Sequence, residues 1–390
     1  MKPLAAAWMQ RAAPRAVCAM LEDAGHQALF VGGCVRNTLL GAHVSDLDLS
    51  TDARPERVIA LAEAAGLKAI PTGIDHGTLT VVADGEPFEI TTFRRDVETD
   101  GRRAVVAFSD DVNEDARRRD FTMNALYARI DGTLLDPLAG LSDLRARRVR
   151  FIGTAAHRIR EDYLRSLRFF RFHAWYGDPQ AGMDPVALDA IAGALDGLDG
   201  LSRERVGAET IKLLSAPDPA PAMAAMRATG AMMRLLPGAD DRALALLVHF
   251  EDIQGVAPDP LRRLAVLGDD DMAGTLRLSR AQRTQAGVIR AAATGMQGAG
   301  ELGYRLGVDR AQDAILARAA LMEQPPGADD LGLAQAGAAA EFPLVARDLM
   351  PEHSGAALGK ALKSLEQTWI SSGFSLTRSA LLDISRGQEG

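Results

Sequence analysis

Leu29-Phe30-Val31-Gly32-Gly33-Cys34-Val35-Arg36-Asn37-Thr38-Leu39-Leu40-Gly41, followed shortly by Ser45-Asp46-Leu47-Asp48-Leu49, is the stretch on which the reading turns. The apolar run 28–31 is stopped by Gly32-Gly33, and 35–40 reads as the start of a helix. Paired glycines at a strand-to-helix transition let the backbone approach a phosphate, and the helix N-terminus adds N–H groups and a positive dipole end. Arg36, one turn in, can clamp the same phosphates. Residues 44–49 alternate polar and apolar side chains, a strand pattern that projects Asp46 and Asp48 from one face. Two carboxylates so placed repel unless a cation sits between them. Mg2+ suits the position, being a hard ion that takes carboxylate and phosphate oxygens while keeping some waters. Taken singly, the glycines fit an ordinary turn and the aspartates an exposed strand end. Together they form a unit that holds a triphosphate and places metal at its reactive phosphorus. The Gly-Lys-Ser/Thr ending of a Walker loop is missing, and so is the third glycine of a dinucleotide fingerprint.

Outward from this stretch, the first 140 or so residues mix strand and helix signals. Residues 54–65 read as a helix with Pro55 at its first turn. Residues 78–82 and 88–93 are β-rich runs joined by Ala83-Asp84-Gly85-Glu86-Pro87, a hairpin connection. Residues 96–113 are polar, contain glycine and show little periodicity, so much of this segment is expected to be a mobile loop. Beyond residue 155 Ala, Leu, Met and Arg recur at helical spacing. Breaks at 216–221, 256–260 and 324–330 mark joints between helices or subdomains. The fold expected is α+β: a head with a small β-sheet, then a mostly helical neck, body and tail, divided as 1–150, 151–215 and 216–390.

With 390 residues, the chain is long enough for more than one domain, and 47% hydrophobic residues exclude a mostly disordered chain. Its densest apolar run, 243–248, is far shorter than the roughly 20 residues a membrane span needs. Two cysteines, Cys18 and Cys34, make no disulfide framework and fit a reducing, cytoplasmic location. Lys2, Arg11 and Arg15 precede the first acid, Glu22, in a pattern read first as an amphipathic helix with Pro14 near its start, and only second as an organellar leader. The formal net charge of −8 advertises no nucleic-acid binding, yet residues 145–171 hold nine arginines against Glu161 and Asp162 alone. Such a concentration suits a local polyanion site, with a solvated helix face as the alternative. The seven histidines are scattered without metal-ligand spacing, and no serine or cysteine sits in a nucleophile motif.

The opening stretch with Asp46-x-Asp48 resembles the first motif of the class II tRNA nucleotidyltransferase and bacterial poly(A) polymerase family. Further motifs follow in the family's order. Arg118-Arg119-Asp120-Phe121-Thr122-Met123-Asn124-Ala125 resembles the second. Asp136-Pro137-Leu138-Ala139-Gly140-Leu141-Ser142-Asp143-Leu144 is similar to the third. Glu161-Asp162-Tyr163-Leu164-Arg165-Ser166-Leu167-Arg168-Phe169-Phe170-Arg171-Phe172 resembles the fourth. Weaker echoes run through Leu201-Ser202-x-Glu204-Arg205 and Phe342-Pro343-Leu344. Asn37 departs from the aspartate the family often carries there.

The resemblance implies a nucleotidyltransferase-type head and template-independent addition of CCA to tRNA 3′ ends from CTP and ATP. Asp46 and Asp48 would be the catalytic residues and would hold Mg2+; Gly33 and Arg36 would position the triphosphate. It also implies nucleotide contacts from Arg119, Arg168 and Arg171, and base selection by Asp162 with Arg165. An Asp beside an Arg offers acceptor and donor to the amino group and ring nitrogen that cytosine and adenine share on their Watson–Crick edges. Asp162, Arg165 and Arg168 step by three along what reads as one helix. Asp120 is expected to orient an arginine or cap a following helix, Asp136 to serve a turn, and His76 to make a structural hydrogen bond; Glu89 is a supporting third carboxylate.

The rivals within the family are a poly(A) polymerase and an enzyme adding only CC. Lys68-Ala69-Ile70-Pro71-Thr72-Gly73 resembles the tRNA branch, and Glu98-Thr99-Asp100-Gly101-Arg102-Arg103 resembles the loop of full CCA addition. The rival of another class, an inactive RNA-binding protein, would have lost a metal aspartate, and both are present. The helical C-terminal half is expected to bind tRNA by backbone and shape. Nothing in the sequence sets an oligomeric state.

Overall fold

The structure is a computed structural model that describes residues 3–100, 103–268, 271–350 and 352–387. Lys2, Gly101 and Arg102, touched on above, lie outside the described residues. Helix α1 (Ala12–Glu22) precedes β1 (Leu29–Val31), whose three side chains are all buried. Gly32 then adopts φ +72° and ψ −122°, a conformation open to glycine alone, and turns the chain into α2 (Gly33–Leu40). Next come β2 (Asp48–Thr51), α3 (Pro55–Ala64), β3 (Lys68–Gly73), β4 (Thr78–Ala83) and β5 (Glu86–Thr92). With β8 (Tyr127–Ala128) and β9 (Leu134–Leu135) these build a seven-stranded sheet of order β3-β4-β5-β2-β1-β8-β9. Pairing is antiparallel except between β2 and β5, whose register sets Asp48 opposite Glu89.

Three expectations need correction. Strand β2 begins at Asp48, so Asp46 lies before it in irregular chain. The parallel register would set residue 46 opposite Pro87, which has no N–H to give, and β1 has already ended at Gly32. The segment 96–113 is not an irregular loop: β6 (Arg94–Asp100) and β7 (Arg103–Phe108) form a separate two-stranded antiparallel sheet, and α4 (Val112–Arg117) follows. The strands were hidden because the segment shows no polar–apolar alternation in sequence. Third, the fourth motif is two helices. Helix α6 (Ala155–Glu161) stops at Asp162, which is extended at φ −154° and ψ 106°, and α7 (Leu164–Tyr176) starts after Tyr163.

Helix α5 (Gly140–Arg145) is capped by Asp136, whose Oδ1 and Oδ2 accept the N–H groups of Gly140 and Leu141 at 2.7 and 3.0 Å, consistent with the turn reading. Helices α8 (Pro185–Ala192), α9 (Leu195–Leu198), α10 (Arg203–Leu214), α11 (Ala220–Ala228) and α12 (Ala231–Leu235) complete the first of two compact units, residues 1–235. Its sheet packs Leu29, Val31, Phe93, Ala116, Ala125, Tyr127 and Ile152 into one core. Aromatic rings bind α7 to the head: Phe121 lies 4.9 Å from both Phe151 and Phe172, and Phe151 stacks on Phe169 at 5.7 Å. Phe121 and Phe151 also share an isolated β-bridge.

The second unit, residues 236–390, is helical in its described residues. The breaks expected at 256–260 and 324–330 fall between helices, as does that at 216–221 in the first unit. Within the second unit the buried carboxylate of Glu251 accepts Arg262 Nε at 2.8 Å and Arg263 Nη2 at 2.7 Å. Asp313 takes Arg262 Nη1 at 2.6 Å, so charge is balanced out of water.

Phe121 is wholly buried at the centre of the ring cluster. Phe121→Ala is expected to destabilise the first unit by about 3–5 kcal/mol, the usual cost of emptying an aromatic site in a packed core. Urea unfolding followed by tryptophan fluorescence measures it, and a loss below about 1 kcal/mol would show that the rings do not carry α7.

Candidate nucleotide and metal site

The turn after β1, the stretch after α4 and the start of α7 enclose a cavity of about 370 Å³. Gly32, Gly33, Arg36, Arg119, Asp120, Asn124, Asp162, Arg165, Arg168 and Phe172 line it. Of the residues singled out from the sequence, Gly33, Arg36, Arg119, Asp162, Arg165 and Arg168 therefore meet here. Asp46, Asp48 and Arg171 do not belong to the lining.

Asp120 organises the wall. Its Oδ1 accepts the Phe121 N–H and Asn124 Nδ2, both at 2.8 Å. Its Oδ2 accepts Arg168 Nε at 2.9 Å and, more closely, Arg168 Nη2. Of the two expectations for this residue, the first holds, since it orients an arginine. The short turn Thr122–Asn124 has no side-chain cap and meets Asp120 only through the Phe121 N–H before it and the Asn124 side chain. Burial pushes its carboxyl up, but the Arg168 guanidinium and the three hydrogen-bonded partners outweigh burial and hold it at about 2.

Arg119 is fixed from below. Its Nη2 donates to Asp115 Oδ2 at 3.0 Å and to Ser50 Oγ at 3.1 Å, and its Nε donates to Tyr127 Oη at 3.0 Å. Tyr127 in turn donates to Asp115 at 2.8 Å. The buried Asp115 carboxyl is held at about 2, burial being outweighed by Arg119 and Arg118.

Asp162 and Arg165 are brought to one cavity but are not partners of each other. Arg165 Nη1 pairs closely with Glu161 and donates to the Arg158 carbonyl at 3.1 Å. Asp162 Oδ2 accepts Arg205 Nη2 at 2.7 Å, and its Oδ1 accepts the Leu164 N–H at 3.1 Å. The break between α6 and α7 puts the two side chains on different local backbones, which ends the idea of a single ladder stepping by three. Arg171 donates to Glu209 at 2.6 Å and lies over the Phe172 ring at 4.5 Å.

The carboxylates gather at the start of β2. Asp46 is exposed and accepts Ser45 Oγ at 2.7 Å. Burial, followed by the charges of Glu89 and Asp46, pushes the Asp48 carboxyl up to about 6 against the opposing pull of Arg119. A carboxyl whose charge is disfavoured by burial and by neighbouring acids suits a divalent cation. Among the described residues no group of three or more His, Cys, Asp or Glu already stands arranged to hold one. Asp46 and Asp48 would thus share the ion with waters and phosphate oxygens, the coordination Mg2+ prefers. Arg119 links this corner to the cavity, because it lines the cavity, bonds Ser50 on β2 and acts electrostatically on Asp48. His76 is exposed; its carbonyl, not its ring, accepts the close hydrogen bond from Arg94.

Sequence reasoning missed Asp115, Asn124 and Glu209, and read Arg205 only as part of a weak echo. Asp115 stands four residues before Arg119 on an adjoining turn, a spacing that could have found it. Glu209 and Arg205 bond to partners 38 and 43 residues away, and no local pattern announces them.

Comparison with known proteins places this geometry. A model described as the poly A polymerase head domain matches residues 28–150, and one described as the probable RNA and SrmB-binding site of polymerase A matches residues 182–242. The chain is 45% identical over 190 residues to the human protein named CCA tRNA nucleotidyltransferase 1, mitochondrial. It is 40% identical over 199 residues to the CCA-adding enzyme of Lactobacillus johnsonii. These matches take in 48% and 50% of this chain, and the chain spans only 44% and 48% of those relatives' length. The structure of the Bacillus stearothermophilus CCA-adding enzyme in complex with CTP is similar over 96% of this chain and 97% of that one, with TM-score 0.72 and 28% identity. A Thermotoga maritima CCA-adding enzyme complexed with tRNA shares the fold at TM-score 0.70 and 18% identity, over 97% of this chain and 95% of that one.

The depressed carboxyls carry a pH prediction. Unfolded aspartate titrates near 3.9 and folded Asp120 at about 2. The stabilisation is therefore complete above about pH 4 and is lost as pH falls toward about 2. Asp120 should contribute on the order of 2 kcal/mol across that window, and Asp115 a similar amount. Urea unfolding at stepped pH should show a shallower acid slope for Asp120→Asn than for wild type; equal slopes would remove Asp120 as the buried anchor.

Proposed function

We propose that this chain is a member of the family of class II tRNA nucleotidyltransferases and bacterial poly(A) polymerases, which its head and RNA-binding segments match, and that it adds CCA to the 3′ ends of tRNA from CTP and ATP, releasing pyrophosphate. One observation carries the reading: Gly33, Arg36, Arg119, Asp162, Arg165 and Arg168, drawn from three separate motifs, line a single cavity. Naming of the relatives as CCA-adding enzymes favours CCA addition over poly(A) synthesis or CC addition alone. The presence of both Asp46 and Asp48 favours an active enzyme over an RNA-binding protein.

In this proposal residues 1–150 are the catalytic head, 151–215 the neck that selects the base, and 216–390 the body and tail that hold tRNA. Gly33 brings backbone close to the triphosphate, while Arg36 and Arg119 bind its charge. Arg168, locked by Asp120, holds the nucleotide from α7, and Arg171 supports it through the Phe172 ring. Asp162 and Arg165 present acceptor and donor to the edge shared by cytosine and adenine; Arg205 and Glu161 fix their aim. Asp46 and Asp48 orient the terminal 3′-hydroxyl toward the α-phosphorus and hold Mg2+. Mg2+, when bound, supplies neutralising charge on the phosphates and makes the hydroxyl easier to ionise. No described helix is long and apolar enough to cross a membrane. We also propose action in the cytoplasm, which the two buried free cysteines suit.

The test of the reading is incubation with tRNA lacking CCA and each of four labelled nucleotides; incorporation of C and A alone is expected, and none would overturn it. Asp46→Ala or Asp48→Ala should abolish incorporation while leaving tRNA affinity nearly intact, and wild-type turnover in either would remove the metal assignment. Arg165→Ala should relax discrimination against UTP and GTP by about 10- to 150-fold in single-turnover incorporation, the worth of one charge-assisted hydrogen bond. Arg168→Ala should instead lower use of all four nucleotides alike. Unchanged discrimination in Arg165→Ala would make that residue structural.

A further inference from the structure

We infer that Asn37 is a positioning residue that keeps the Arg36 guanidinium free of any carboxylate partner, so that its charge is spent on the nucleotide's triphosphate. The inference rests on the nucleotide reading of the cavity. Every other arginine bordering this region is matched to an acid: Arg119 to Asp115, Arg165 to Glu161, Arg168 to Asp120 and Arg171 to Glu209. Arg36 is not. Its residue is only 7% exposed, yet its hydrogen-bond partners among the described residues are all neutral. Nε and Nη2 both donate to Asn37 Oδ1, at 3.1 and 2.9 Å. Nη1 donates to Asn124 Oδ1 at 2.5 Å, and Nη2 also donates to Tyr176 Oη at 2.8 Å. The Tyr176 ring lies beneath the guanidinium at 4.0 Å and the Phe172 ring at 5.2 Å.

These groups aim the guanidinium without cancelling it. Amide oxygens, a phenol and aromatic faces stabilise a cation but leave its net charge to a ligand. The orientation of Asn37 is set independently, since its Nδ2 donates to the His43 carbonyl at 2.7 Å and so turns Oδ1 toward Arg36. Access is kept open as well. A Cβ on Gly33 would stand 3.8 Å from Arg36 Nη2, so its absence leaves that side of the guanidinium uncovered at the cavity wall. A carboxylate at position 37 would occupy the place of Oδ1 with nearly the same shape and would convert the fork into a two-bond ion pair. The incoming polyanion would then meet a neutralised arginine.

Asn37→Asp keeps the shape of the side chain, adds a charge and removes the Nδ2–H that the His43 carbonyl accepts, so a neutral variant lacking the same donor is its control. Against wild type, Asn37→Asp is expected to bind CTP and ATP about tenfold more weakly by calorimetry, with KM raised by a similar factor and kcat changed less than about twofold. CMP, which carries less phosphate charge, should lose much less affinity than CTP. The neutral variant Asn37→Ser, which also lacks the amide donor to the His43 carbonyl, should keep CTP affinity within about threefold. The inference is overturned if Asn37→Asp binds CTP as wild type does, or if it loses CTP and CMP equally, which would mark a change of shape. It is also overturned if Asn37→Ser weakens CTP as much as Asn37→Asp. If wild type itself fails to bind CTP, the nucleotide reading of the cavity falls, and this inference with it.

Discussion

The carboxylate of Asp120 is where the backbone of the head, the nucleotide cavity and helix α7 are tied together. It is buried, ionised at any pH above about 2, and surrounded by donors from three places in the chain. Phe121 N–H and Asn124 Nδ2 bind one oxygen; the Arg168 fork binds the other. Such a charge out of water is tolerable only when its partners are all present, which makes the arrangement all-or-none. The consequence reaches further through Asn124, whose Oδ1 takes Arg36 Nη1. One carboxylate therefore relays position from α7 to the turn at residue 121 and on to α2, with the Phe121, Phe151, Phe169 and Phe172 rings filling the space behind it.

Around that anchor the cavity separates two kinds of arginine. Those matched to acids are rigid tools, held in one orientation before any ligand arrives, and preorganisation of this sort lowers the cost of ordering side chains on binding. Arg36, matched only to neutral acceptors, retains its charge. A polyanionic ligand needs both: fixed donors to define its pose and net positive charge to favour its entry. The carboxylates of Asp46, Asp48 and Glu89 supply the opposite sign at the other corner, where burial first, and then the charges of Glu89 and Asp46, raise Asp48 to about 6, a setting that favours a cation. Arg119 stands between the two regions, bonded to Asp115 and Ser50, so that positive and negative corners are connected by a single side chain.

Much was legible in the residues alone: the strand–Gly-Gly–helix turn, the hairpin between β4 and β5, the helical remainder with its three joints, and the family resemblance, because ordered motifs of mixed residue types are local strings. The sequence also brought forward most of the residues that line one cavity, since short motifs carry their own turn chemistry. Which charge answers which was settled by packing in three dimensions. Asp162 looked like a helical neighbour of Arg165 and is instead bonded to Arg205 across 43 residues, because the chain leaves the helix at that residue. Glu209 bonds Arg171 from 38 residues away, and Asn124, beside its local bond to Asp120, reaches Arg36 across 88 residues, which no local string announces. Strands β6 and β7 escaped a periodicity reading because their residues do not alternate polar and apolar side chains. Asn37 was visible in the sequence only as a departure from a motif; its meaning depends on a neutral pocket assembled from α2, residue 124 and α7. Local strings encode turns and residue types. Pairings between distant charges depend on where packing brings backbone segments together, and that information is spread over the whole chain.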